Sequence, residues 1–124
     1  MMINKKILIV EDDEISRDVI KMFIRTKYDY DTASNAEYAL ESVNKNRFDA
    51  FLLDINLGRG MNGTQLMKCI KEIETYKNVP VIAMTAFVMD SDEEEFLSAG
   101  FDYYLPKPFS KNQLLDLLQK TLGD

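Results

Sequence analysis

The chain has 124 residues, 46% of them apolar and 29% charged, a composition ordinary for one folded domain, and residues 1–124 are read as a single domain. There is no histidine, which excludes a Ser-His-Asp triad, a Cys-His dyad, a histidine general base and any histidine-ligated metal; the single Cys69 can form neither an internal disulfide nor a thiolate zinc site. With 21 acidic against 15 basic residues and a net charge of −6, the surface repels nucleic-acid phosphates, and no apolar run approaches the ~18–20 residues of a membrane span, so neither nucleic-acid nor membrane binding is expected and a cytoplasmic location is.

In chain order, residues 6–10 (KILIV) form a short, continuously apolar run of the kind found in strands buried on both faces. Ile15, Val19, Met22, Phe23 and Ile24 then recur at helical spacing. Residues 28–33 predict a second, weaker strand, and Ala36, Ala39, Leu40 and Val43 a second helix. Residues 48–53 (FDAFLL) predict the third strand, and residues 64–73 a helix with Leu66, Ile70 and Ile73 on one stripe. Residues 79–84 predict a fourth strand with Pro80 at its start, where proline is tolerated. Acids open a helix over 90–99 and Gly100 stops it. A short fifth strand at 103–105 and a last helix over 110–122, with Ser110 as N-cap, complete the chain.

Five strands alternating with five helices argue for parallel crossovers, because antiparallel neighbours need only tight turns. The expected fold class is therefore α/β, a doubly wound five-stranded parallel sheet. In such folds ligands sit beyond the carboxyl ends of the strands. The residues there are Glu11, Asp12 and Asp13 after strand one, Asp54 after strand three, Thr85 after strand four and Lys107 after strand five. Singly these read as helix caps or turn residues; together they converge on one sheet edge.

Like charges about 4 Å apart repel by roughly 4 kcal/mol at an effective dielectric of 20. Glu11, Asp12 and Asp54 packed together therefore need a bound proton or cations. Lys107 supplies one charge and a divalent cation two more. Oxygen donors without cysteine or histidine select Mg²⁺ or Mn²⁺, and Mg²⁺ leaves positions for water and phosphate oxygens. Asp54 is the natural nucleophile towards phosphorus, with Lys107 and the Thr85 hydroxyl neutralising charge.

At this point the residues resemble a known family, the receiver (CheY-like, flavodoxin-like) domain of bacterial two-component response regulators. The resemblance covers essentially the whole chain, through ILIVEDD (7–13), the LLDIN segment around Asp54, MTA (84–86) and SAGFDYYLPKPF (98–109). It implies that Asp54 accepts a phosphoryl group from a phosphohistidine of a sensor kinase or histidine phosphotransfer protein. It implies a Mg²⁺ site of Asp12, Asp54 and the backbone carbonyl of Asn56, with Glu11 acting through water and Asp13 starting a helix rather than ligating. Thr85 resembles the switch hydroxyl and Tyr104 the aromatic that follows it inward, while Lys107-Pro108 resembles the family's cis peptide. On this reading the domain is a phosphoacceptor that catalyses its own phosphorylation and dephosphorylation.

The loop after Asp54 departs from the commonest pattern: it lacks a proline, and its last glycine, Gly63, comes one residue late. Phe87, two residues past Thr85, is expected to slow water's access to an acyl phosphate. Gly58, Gly60 and Gly63 also spell G-x-G-x-x-G, the dinucleotide-binding pattern. No acid follows between 75 and 89 to hold a ribose, and Asp54 would repel a pyrophosphate. A Mg²⁺-dependent phosphatase would need a second acid where Asn56 stands. An adaptor that works without phosphorylation is a further alternative.

The output surface implied by the resemblance is the fourth helix, fifth strand and fifth helix: Asp90, Asp92, Glu93, Glu94, Glu95 and Phe96, with Tyr103 and residues 111–119 nearby. It would face a downstream protein or a fused output domain. The chain ends at Asp124, so both a stand-alone regulator and a receiver cut from a longer protein fit.

Overall fold

A computed structural model describes residues 4–86 and 90–123. Its elements are β1 (Lys6–Val10), α1 (Glu14–Ile24), β2 (Asp29–Ala33), α2 (Ala36–Lys45), β3 (Ala50–Asp54), α3 (Gly63–Glu72), a 3-10 turn (Glu74–Tyr76), β4 (Val81–Thr85), α4 (Asp90–Ala99), β5 (Tyr103–Pro106) and α5 (Lys111–Leu122). The strands form one parallel sheet in the order β2-β1-β3-β4-β5. The winding reverses between β1 and β3, and that reversal opens a crevice at their carboxyl ends. The doubly wound fold read from the sequence is thus the fold of the protein.

Why the strands lack alternation follows from the packing. On one face Leu8, Val10, Phe51, Leu53, Val81 and Ala83 meet α2 and α3 through Ala39, Val43, Leu66, Met67 and Ile70, with Phe96 and Ala99 of α4 packed at the edge. On the other, Ile7, Ile9, Leu52, Ile82 and Met84 meet α1 and α5 through Ile20, Ile24, Leu114 and Leu118. Successive strand side chains therefore both leave water, each fully buried aliphatic contributing about 1.5–3 kcal/mol.

Local chemistry sets the helix starts. Asp13 caps α1 by accepting from the Ser16 N–H at 2.8 Å, and Asn35 caps α2. Asn62 with Gln65, and Ser110 with Gln113, form reciprocal capping boxes at α3 and α5. The helix over 64–73 begins one residue earlier than expected, at Gly63, and ends at Glu72, where Ile73 turns extended and a 3-10 turn follows. That turn serves Tyr76, which is buried and whose hydroxyl donates to the Asn46 carbonyl at 2.6 Å, with the Val43 carbonyl at 3.1 Å. No periodicity signals such a tether between distant segments.

Helix α1 is where the pattern and the packing differ most. The helical spacing is right, but of the five apolar residues that define it only Ile24 is buried and Phe23 half-buried. Ile15, Val19 and Met22 are 76%, 39% and 59% exposed, and Ile20 takes the core position instead. Two apolar stripes share this helix, one for the sheet and one facing outward.

No helix among the described residues is long and apolar enough to cross a membrane.

Candidate functional site

Four strand ends build the site. Glu11 follows β1 and is held there by its N–H to the Ala33 carbonyl at 3.1 Å. Asp54 is the last residue of β3, and Thr85 the last of β4, one position further into the strands than the sequence indicates. Lys107 follows β5, its N–H bonded to the Thr85 carbonyl at 2.7 Å, and the Lys107–Pro108 peptide is cis. A cleft of about 230 Å³ is lined by Glu11, Asp12, Asp13, Asp54, Asn56, Thr85, Ala86 and Lys107.

Carboxylate oxygens of Glu11, Asp12 and Asp54 lie within 4.8 Å of one another. Glu11, Asp54 and Thr85 are the buried polar side chains among the described residues, while Asp12 is exposed at the mouth. The Lys107 ammonium donates to Asp54 Oδ2 at 3.1 Å and, in a short contact, to Glu11 Oε1. These acids hold the Lys107 pKa above its ordinary value although burial pulls it down. Burial in turn pushes the Glu11 carboxyl up to about 7, aided by its hydrogen bond with Asp54 and opposed by Lys107. One ammonium thus falls short of balancing the cluster, and the oxygen-only donor set can hold a metal ion.

Asp54 Oδ1 accepts from the Asn56 N–H at 3.1 Å, and Asn56 Oδ1 from the Gly58 N–H at 3.2 Å. The Asn56 side chain therefore shapes the loop and stands where a phosphatase would need its second acid. Asp13 is a cap, as expected: its pKa is lowered, first by the hydrogen bond from the Ser16 backbone. Gly58 and Gly60 have φ of +77° and +86°, conformations that favour glycine. A side chain at Gly58 would stand 3.5 Å from Asp12 Oδ2, so this loop runs beside Asp12 at the mouth of the cleft. The G-x-G-x-x-G spelling is a consequence of loop geometry.

Tyr104 lies outside the cleft. It pairs with Ala83 in register, two residues before Thr85, and its ring stacks on Phe96 of α4. Phe87 falls outside the described residues. Two contributors escaped the sequence reading. Arg17 Nη1 donates to the Glu11 carbonyl at 3.0 Å, tying α1 to the acidic loop; its place one helical turn after Asp13 is the signal that could have found it. Gly63 sits against the Asp54 carbonyl, where a Cβ would come within 2.2 Å.

The fold and this carboxylate-and-lysine cleft are those of a class of signalling domain. The model of the response regulator receiver domain matches residues 7–119, and the chain belongs to that family. It is 32% identical over 121 residues to the polar-differentiation response regulator DivK of Brucella anthropi, covering 97% of this chain and 98% of the relative. Among solved structures it resembles the receiver domain of sensor histidine kinase PA1611 from Pseudomonas aeruginosa PAO1, which has a magnesium ion coordinated in its active-site cleft. That match has 32% identity and a TM-score of 0.88, and covers 98% of this chain and all of the other. The Vibrio cholerae chemotaxis protein CheY4 matches at 28% identity and TM-score 0.90, over 97% of this chain and all of that one. The protein is a receiver domain of two-component signalling.

Proposed function

We propose that Asp54 is the phosphoacceptor and that its phosphorylation, drawn from a phosphohistidine on a sensor kinase or phosphotransfer protein, changes how the domain binds its partners. The observation that carries this reading is the Lys107 ammonium shared between the buried Glu11 and Asp54. In the transfer, an Asp54 carboxylate oxygen forms a bond to phosphorus while the phosphorus–nitrogen bond to the donor imidazole breaks, the imidazole leaving with its electron pair and taking a proton. An acyl phosphate remains on Asp54.

The half-buried ammonium of Lys107 offsets charge on the phosphoryl oxygens, and the Thr85 hydroxyl bonds one of them. Asp12, Asp54 and the Asn56 carbonyl would hold Mg²⁺ (Mn²⁺ has the same donor preference), with Glu11 reaching it through water. The bound ion supplies neutralisation of the entering phosphoryl charge. Tyr104 then follows Thr85 towards the space beside β4. The same groups serve dephosphorylation, in which a water oxygen bonds to phosphorus as the phosphorus–oxygen bond to Asp54 breaks, leaving the Asp54 carboxylate, inorganic phosphate and a proton taken up by solvent.

A protein donor is supported by the outward stripe of α1. Ile15 and Val19, with Phe23, Ala86, Pro108 and Phe109, line an apolar groove of about 380 Å³ whose rim includes Lys107. An apolar helix face docked there would bring its histidine to the cleft.

Intact-mass spectrometry after incubation with acetyl phosphate tests the chemistry. Gain of one phosphoryl group that requires Mg²⁺ and vanishes in Asp54→Asn is expected. Undiminished gain in Asp54→Asn refutes the assignment, and no gain from acetyl phosphate or from a phosphorylated kinase favours an adaptor that works unphosphorylated.

A further inference from the structure

Glu11 is where the pairing of β1 with β2 runs out. The two strands pair in register from Lys6 with Asp29 to Val10 with Ala33, and the Glu11 N–H then bonds the Ala33 carbonyl. The carbonyl of Glu11 comes one step too late, because β2 ends at Ala33 and has no further N–H to offer. Glu11 is buried, and a carbonyl leaving water needs a donor. The half-buried Arg17 guanidinium supplies it, with Nη1 at 3.0 Å. A side chain of α1 thus takes the place of the next strand amide.

The peptide held in this way joins Glu11 to Asp12. Glu11 is also tied through its side chain, Oε1 to Lys107 and Oε2 to the Asp13 N–H at 3.4 Å. Asp12 has no such hold. Its carboxylate is exposed and makes no hydrogen bond or ion pair among the described residues, yet one of its oxygens lies within 4.8 Å of carboxylate oxygens of Glu11 and Asp54. Repulsion from those acids favours an outward turn, so its place depends on the backbone that carries it. That backbone is fixed on one side by Arg17 and on the other by Asp13, the cap of α1.

We propose that Arg17 is a positioning residue for the divalent-cation site, fixing the Glu11–Asp12 peptide so that the Asp12 carboxylate stays with that of Asp54. The inference rests on the reading of Asp12 and Asp54 as cation ligands, and adds the residue that orients one of them. Its sign sets it apart from a charge effect. A guanidinium repels a cation, so removing one that acted through charge alone would tighten cation binding. Removing one that positions Asp12 weakens it.

The test uses the full chain and Mn²⁺, whose free-ion EPR signal reports binding with no phosphoryl donor present. Arg17→Met removes the donor and Arg17→Gln shortens its reach. Both should bind Mn²⁺ about tenfold more weakly, the lower end of what losing a group that orients a metal ligand does. Arg17→Lys, which keeps a donor on a long stem, should stay within about threefold of wild type. The rise in melting temperature on adding Mg²⁺ should shrink in Arg17→Met and Arg17→Gln. In saturating Mg²⁺ both should gain phosphate from acetyl phosphate within about twofold of the wild-type rate, because only the ion's affinity has changed. Unchanged or tighter Mn²⁺ binding in these two variants overturns the positioning role and leaves the cation site intact. So does a melting temperature lowered equally with and without Mg²⁺, the mark of a residue that only anchors α1. A wild type that binds no Mn²⁺, or an Asp12→Asn that binds it as well, removes the reading of the site and the inference with it.

Discussion

Gly63 opens α3, and its N–H bonds the Ile55 carbonyl at 2.9 Å. A methyl group there would stand 2.2 Å from the Asp54 carbonyl oxygen, 2.8 Å from the Ile55 Cα and 3.0 Å from the Asp54 carbonyl carbon. All three are backbone atoms, so no side chain can rotate to relieve the contact. Restoring ordinary separation requires α3 to retreat, or the end of β3 to move, by more than about 1 Å. Overpacking of this kind costs roughly 3 kcal/mol, the upper part of its usual range. Alanine recovers about 1 kcal/mol as the better helix former. Gly63→Ala should therefore lose about 2 kcal/mol net, and an Asp54 displaced by about 1 Å should take up phosphate about a hundredfold more slowly. Urea unfolding gives the first quantity and the rate of phosphoryl gain from acetyl phosphate the second. Gly60→Ala is the control: its φ is +86° and nothing lies within 4 Å of the added methyl, so it should lose about 1–2 kcal/mol for the left-handed backbone and keep its phosphorylation rate. Wild-type stability and rate in Gly63→Ala would refute the close-approach argument.

Without a divalent cation, Glu11 titrates from 4.5 when unfolded to about 7 when folded. The folded state then binds the proton more tightly, so stability should fall by about 3 kcal/mol as pH rises from about 4.5 to 7, with the cost fully present above pH 7. Melting curves between pH 5 and 8 should show this slope in EDTA and lose it in millimolar Mg²⁺; identical slopes would show that no ion relieves the cluster. On α1, Val19→Glu places a charge in the exposed apolar stripe. Transfer from a phosphohistidine protein should drop at least tenfold, while acetyl phosphate still phosphorylates the variant within about twofold and stability changes by less than about 0.5 kcal/mol. Equal losses from both donors would mean that the stripe does not receive the protein donor.

Much of this molecule is legible in its sequence. The strand cores were plain because a sheet covered on both faces demands continuous apolar runs, and Ile7–Val10 and Val81–Met84 supply them. Asp13 and Ser110 announced helix starts through a side-chain oxygen placed to accept from the N–H three residues on. The acids, hydroxyl and ammonium at strand ends pointed to a site because parallel strands end on one edge. These are local or periodic signals, carried by side chains a few residues apart.

What the sequence could not determine involves pairs far apart in the chain or faces that periodicity leaves equivalent. Helical spacing on α1 is satisfied by Ile15, Val19 and Met22 as well as by Ile20 and Ile24. Only the position of the sheet decides which stripe meets the core, because the hydrophobic effect is indifferent to which equivalent face is buried. Tyr76 reaches Asn46 across 30 residues, and Phe96 finds Tyr104 by the packing of α4. The sequence places Gly63 at the end of a loop, and only the approach of α3 to the Asp54 carbonyl gives its missing side chain a reason. Composition and spacing determined the layers and the chemistry of the strand ends. Tertiary packing decided which apolar face stayed outside, how one ammonium is shared between two buried carboxylates, and which ring stacks on Tyr104, because each depends on distances between segments that no local pattern encodes.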